Sequence, residues 1–124
     1  MGVAHHAAYI PWLEIGRTEL LRASGVSYAD LERHGIFLVI TKLDMKYRRP
    51  ILYDDLVEVR TRWIGGSRVK IEHAYELFIA QRAGKPLDLA TAIPIALGST
   101  TLACVGRDGR PQPLPDWLTP QEAP

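Results

Sequence analysis

The chain has 124 residues, 47% hydrophobic and 23% charged, with a formal net charge of +1. That length suits one domain with one core burying roughly two-thirds of the unfolded surface. The near-neutral balance excludes a general attraction to nucleic acid or to an anionic membrane. The lone cysteine, Cys104, excludes an intrachain disulfide. With no basic-then-apolar leader and no run long enough to span a bilayer, a cytoplasmic protein is expected.

The stretch Gly2 to Arg22 reads as one long, mostly buried helix. Tyr9, Leu13, Gly16 and Leu20 recur along one stripe, Trp12 and Ile15 add a second apolar flank, and only a strip carrying Glu19 and Arg22 looks built for water. Pro11 is tolerated if the helix begins near His6 or Ala7, because the first N–H groups of a helix have no intrahelical partner. That start places His5 and His6 at the helix mouth. There, free backbone N–H groups and the positive end of the dipole can hold a carbonyl or an oxyanion. The plainer alternative has both histidines capping the helix or facing water. Glu14 is expected to pair with Arg17 or Thr18 on the helix surface.

Ser24-Gly25-Val26 closes that helix, with Gly25 free to take the left-handed conformation. Ser27 caps a second, short helix with Asp30 in a relative of the capping box, and His34-Gly35 ends it. The pattern then becomes extended. Ile36 to Tyr47 is a strand apolar on both faces, hence expected to be covered or paired by a second subunit. Arg48-Arg49-Pro50 interrupts it and Tyr53-Asp54-Asp55 turns the chain. Val57, Val59, Thr61 and Trp63 then alternate against Leu56, Glu58, Arg60 and Arg62, a half-buried strand.

Gly65-Gly66-Ser67 signals a hairpin, and Arg68 to Ala80 returns with Val69, Ile71, His73, Tyr75, Leu77 and Ile79 in one register. Gln81 to Pro86 turns again. Leu87 to Ile95, broken by Pro94, is an irregular lead-in or a bulged strand, and Ala96 to Val105 is the last strand. After a turn at Arg107 to Arg110, an extended tail is expected to lie on the surface through Leu114, Trp117 and Leu118. A buried helix followed by long antiparallel strands is an α+β arrangement with the sheet curled around the helix. The expected domain is residues 1–118, with 119–124 as a flexible tail.

Three separated motifs carry a resemblance: Gly2-Val-Ala-His-His-Ala-Ala-Tyr-Ile-Pro-Trp-Leu-Glu-Ile-Gly-Arg17, Tyr47-Arg-Arg-Pro50 with Tyr53-Asp-Asp55, and Gly98-Ser-Thr-Thr-Leu-Ala103. Together they resemble the hotdog-fold acyl-CoA thioesterases, in particular the 4-hydroxybenzoyl-CoA thioesterase-like branch. The resemblance implies a curled antiparallel sheet around one central helix, homodimers joined sheet edge to edge and often paired into homotetramers, and active sites shared between subunits. It implies an acyl-CoA substrate whose carbonyl meets the backbone N–H groups around His6 and Ala7, and no metal or other cofactor. His6 matches the histidine that several members carry there, and His5 takes a more variable place.

The resemblance also implies an acidic residue, which members of this branch usually carry a few positions before the glycine aligned with Gly2, on a first strand. This chain begins at Met1, so that N-terminal strand and its carboxylate are expected to be missing. A start at an internal methionine, catalysis by His6 alone, or a non-catalytic acyl-CoA-binding dimer would each account for it. Hydration or dehydration of an acyl thioester fits the motifs less well. Tyr9, Trp12 and Phe37 either line an aromatic-tolerant pocket or belong to the core. For the phosphates of coenzyme A, Arg68 and Lys70 are the first choice and Arg48 and Arg49 the next. His73 reads as a satisfied core histidine, His34 as a residue favoured beside a helix C-terminus, and Cys104 as packing.

Overall fold

The computed structural model describes residues 9–52, 54–88 and 92–118. Helix α1 (Tyr9–Ala23) and the short α2 (Tyr28–Arg33) precede strands β1 (Phe37–Tyr47), β2 (Leu56–Gly66), β3 (Lys70–Arg82), β4 (Lys85–Pro86) and β5 (Ala96–Val105). The four long strands form an antiparallel sheet in the order β1-β5-β3-β2, and β4 folds back on Gln81 and Arg82. Among the described residues the open edges are therefore β1 and β2.

Local chemistry accounts for the element ends. Gly25, at φ 85, accepts the left-handed turn after α1, where its N–H and that of Val26 close on the Arg22 and Leu21 carbonyls. The capping box on α2 is complete: Ser27 Oγ accepts from the Asp30 N–H and an Asp30 carboxylate oxygen accepts from the Ser27 N–H, both at 3.1 Å. His34 ends α2 with Nδ1 at 2.8 Å from the Asp30 carbonyl oxygen. Gly66, at φ 143, leads into the hairpin turn, and a Cβ there would strike the Lys70 carbonyl.

The period-two pattern in β2 and β3 becomes cross-strand pairing. Val57 faces Ile79, Val59 faces Leu77, Thr61 faces Tyr75 and Trp63 faces His73, all on the side that receives α1. A bulge between Ile40 and Lys42 shifts the register of β1 against β5. Before it Leu38 packs inward, and after it Met45 and Tyr47 do. That shift is why both parities of the strand read as apolar in sequence.

Two apolar clusters fill the space between helix and sheet. Tyr9, Leu13, Ile51, Tyr75, Leu77, Ile79, Ile95 and Ala96 pack under the N-terminal half of α1. Leu31, Ile71, Leu102 and Leu118 pack near its C-terminal end, joined by Leu21, Trp63 and Leu114. The tail therefore does lie on the body through Leu114 and Leu118, while Trp117 is exposed and meets the His34 ring. Leu87, Asp88 and residues 92–95 form no regular element, and 89–91 lie outside the described residues.

The helix corrects the sequence reading twice. Ile10 and Ile15 are exposed, Ile15 at 59%, because the sheet covers only one stripe of α1. Arg17, expected on the surface beside Glu14, is instead 6% exposed and completes the inward stripe Tyr9, Leu13, Arg17 at successive spacings of four. Thr18 takes the Glu14 backbone carbonyl through Oγ1 at 2.8 Å, so neither expected side-chain pair with Glu14 forms.

Candidate active site

His5, His6 and Ala7 lie outside the described residues, and so does the expected start of the helix. Tyr9 marks the end of α1 that they lead into. Its ring is buried, edge-on to Trp12 with centroids at 5.2 Å and to Tyr47 at 4.8 Å. Burial, with a smaller contribution from Tyr47, raises the Tyr9 pKa, so its hydroxyl stays protonated at neutral pH. The first described turn carries no acidic residue that would offset the positive end of the helix dipole.

Arg48 follows Tyr47 directly, and the N–H groups of Arg48 and Arg49 both donate to the Ile95 carbonyl, at 3.0 and 3.1 Å. These exposed arginines thus stand at the same end of the molecule as Tyr9. Arg68 and Lys70 do not. They flank the β2–β3 turn, whose neighbours Trp63, Leu114 and Leu118 belong to the cluster at the C-terminal end of α1. The helix has 15 residues, so about 22 Å of axis separates its ends. Lys70 lines a surface cavity of about 430 Å³ there, with Ser67 and Ile64. Within one chain, the structure groups Arg48 with Tyr9 and leaves Arg68 and Lys70 apart.

Sequence reasoning missed a buried polar network behind the helix. Arg17 donates from Nη1 to the Tyr75 hydroxyl at 3.1 Å, and that hydroxyl lies 2.7 Å from Thr100 Oγ1. Burial alone would lower the Arg17 pKa. The hydrogen bond to Tyr75, with Tyr28 nearby, more than reverses this, and the guanidinium remains charged. Burial raises both Tyr75 and Tyr28, which stay neutral phenols. Spacing gave one usable signal, since Arg17 continues the stripe set by Tyr9 and Leu13.

His73 borders this network and is 5% exposed, but its Nδ1 has no hydrogen-bond partner, so it is a core histidine without being a satisfied one. Burial and then the Arg17 charge lower its pKa to about 4. Thr61 Oγ1 is likewise buried without a partner, where Gly16 brings α1 close against β2. Cys104 is fully buried and burial raises its pKa, which suits packing rather than nucleophilic chemistry.

Three cavities flank α1. One of about 890 Å³ runs along its outer side against β2, past Trp12, Ile15 and Thr61. One of about 290 Å³ lies on the β1 side, bordered by Glu14, Arg17, Thr18, Tyr28, Leu38 and Ile40. The third, of about 20 Å³, holds His73 and Arg17 in its wall. Among the described residues, no group of three or more His, Cys, Asp or Glu side chains could hold a metal ion. No described helix is long and apolar enough to cross a membrane.

Comparison with known proteins fits this geometry. The model of the thioesterase-like superfamily matches residues 1–121. YneP of Bacillus subtilis (strain 168), named an acyl-CoA thioesterase, is 30% identical over 123 residues, covering 98% of this chain and 85% of its own. The crystal structure of DHNA-CoA thioesterase from Staphylococcus aureus superposes with a TM-score of 0.78 at 32% identity, over 92% of this chain and 70% of that one. A hypothetical protein from Aquifex aeolicus superposes with a TM-score of 0.77 at 26% identity, over 92% and 81%. With its antiparallel sheet curled against one long helix, the chain belongs to the thioesterase-like superfamily and has the hotdog fold.

Proposed function

We propose that the chain hydrolyses acyl-CoA thioesters, with the thioester carbonyl held at the N-terminal end of α1. The observation that carries this reading is the family match over residues 1–121, which spans the histidine pair leading into that helix. Backbone N–H groups around His6 and Ala7 polarise the carbonyl and take up the charge of the tetrahedral intermediate. His6 accepts a proton from the attacking water on an imidazole nitrogen. The C–S bond then breaks, the acid departs, and the thiolate of coenzyme A recovers the proton. His5 and the Tyr9–Trp12–Tyr47 collar border the acyl carbonyl, and the reaction needs no metal or redox cofactor.

Arg48, with Arg49, serves the phosphates of the same bound coenzyme A. Arg68 and Lys70, a helix length away, reach it only from a second subunit. A homodimer is part of this reading, because among the described residues β1 is an open edge whose Val39, Ile40 and Leu43 are exposed apolar residues. The test is thiol release from short-chain, long-chain and aryl-CoA esters by the wild type and by His6→Ala. Turnover that collapses in the variant supports the proposal. Saturable ester binding without turnover identifies a binding protein instead.

A further inference from the structure

Arg17 is a buried cation with no ion-pair partner among the described residues. It is 6% exposed, it hydrogen-bonds to the neutral phenols Tyr75 and Tyr28, and no described carboxylate forms an ion pair with it. Buried charges are ordinarily paired, because desolvation is costly unless an opposite charge or a full set of hydrogen bonds offsets it. A guanidinium has five N–H donors, so Tyr75 and Tyr28 do not fill its capacity. The rings packed around it are uncharged: Tyr75 and Tyr28 are protonated, and His73 is neutral.

The space beside it is shaped to admit a ligand. Helix α1 rests on β2 and β3, leaving the cavity of about 290 Å³ between its Glu14–Thr18 flank and Leu38 and Ile40 of β1. Its wall is apolar along β1 and polar at Arg17 and Tyr28. Glu14 borders the cavity too and its charge reaches Tyr28, but it is exposed and makes no ion pair with Arg17. Arg17 stands eight residues past Tyr9, about 12 Å along the axis from the end where the carbonyl is placed, and side chains lean back toward a helix N-terminus.

Resting on the thioesterase reading above, we propose that this cavity receives the far end of the acyl group and selects a carboxylate there. The preferred substrates are then ω-carboxyacyl thioesters of medium length, their apolar stem against β1 and their terminal anion on Arg17 and the Tyr28 hydroxyl.

The experiment compares kcat/KM for adipoyl-CoA against hexanoyl-CoA, and suberoyl-CoA against octanoyl-CoA, on the unmodified protein. A preference of about 10-fold or more for the carboxylate of at least one pair is expected, the scale of a charge-assisted hydrogen bond to a guanidinium. Arg17→Gln, checked for folding by thermal melting, should bring that ratio down toward one, as lower affinity for the carboxylate esters. Equal or better turnover of the neutral esters overturns the proposal, and this result needs no variant to fold. If no ester is turned over, hydrolysis fails as the function. Calorimetric binding of the same four esters then decides the inference: tighter binding of the carboxylates supports it, and equal or weaker binding overturns it.

Discussion

Acidification should destabilise this protein through protonation of His73. The imidazole is 5% exposed, sits between Trp63 and Tyr75 with ring centroids at 6.1 and 6.2 Å, and faces the Arg17 charge; burial first and then that charge lower its pKa from the ordinary 6.5 to about 4. Because the folded pKa is depressed, the unfolded chain binds the proton first. The stability of the neutral buried ring is fully present above the unfolded value, declines as pH falls from about 6.5, and levels off below about 4, where both states are protonated. At about 1.4 kcal/mol per unit, the loss is about 1.4 kcal/mol at pH 5.5 and about 3 kcal/mol once complete. Urea unfolding midpoints measured across that range for the wild type and for His73→Phe separate this contribution from the carboxylates, since the variant keeps a ring and loses the proton site. The wild type should lose stability more steeply than the variant over that window. Parallel pH profiles would refute the assignment of a buried neutral imidazole.

Three further expectations follow from packing and pairing. Gly16→Ala puts a methyl group against Thr61 Oγ1 and Val59, on a stiff β-branched neighbour that is itself buried, so thermal melting should show a loss of about 1–3 kcal/mol. Asp55→Asn removes the charge from a carboxylate whose side chain is 1% exposed and bound by Arg82 at 2.8 Å. It should lower the denaturation midpoint at neutral pH by an amount equivalent to about 1–3 kcal/mol. The hydrogen bonds from Arg82 foremost hold the Asp55 pKa below the ordinary 3.8, so the wild-type advantage should persist above that value and fade as pH falls through the lowered one. Ser27→Ala removes the α2 cap and should cost about 1 kcal/mol by the same melting assay, while Ser27→Asp should largely retain it.

Much of the fold was legible because its strands alternate strictly. Val57 to Trp63 and Val69 to Ile79 place the same parity inward over many residues, and only one register satisfies both strands. The cap at Ser27 and the break at Gly25 were equally local, since side chain and backbone there meet within three residues. The bulge in β1 was not legible. One extra residue at Thr41 inverts the parity, and a sequence shows only that both parities are apolar. The fate of Arg17 was hidden for a related reason. Helical spacing brings Glu14 and Arg17 together on a surface, but Tyr75, 58 positions away in the chain, takes the guanidinium inward. The site divides likewise: Tyr9 and Arg48 meet through the packing of Tyr47, whereas the pairing of β2 with β3 carries Arg68 and Lys70 to the other end of the helix.

The most direct test of the account is where a substrate's carbonyl rests. Amide chemical shifts of the labelled protein, followed by NMR during titration with a non-hydrolysable acyl-CoA thioether that keeps the ketone in place of the thioester carbonyl, locate it. The account predicts that the largest saturable changes fall on the amides of His6, Ala7 and Ala8, with Tyr9 and Arg48 among the next. Largest changes at Gly65 to Lys70, with the amides leading into α1 unmoved, would contradict a carbonyl held at the end of that helix.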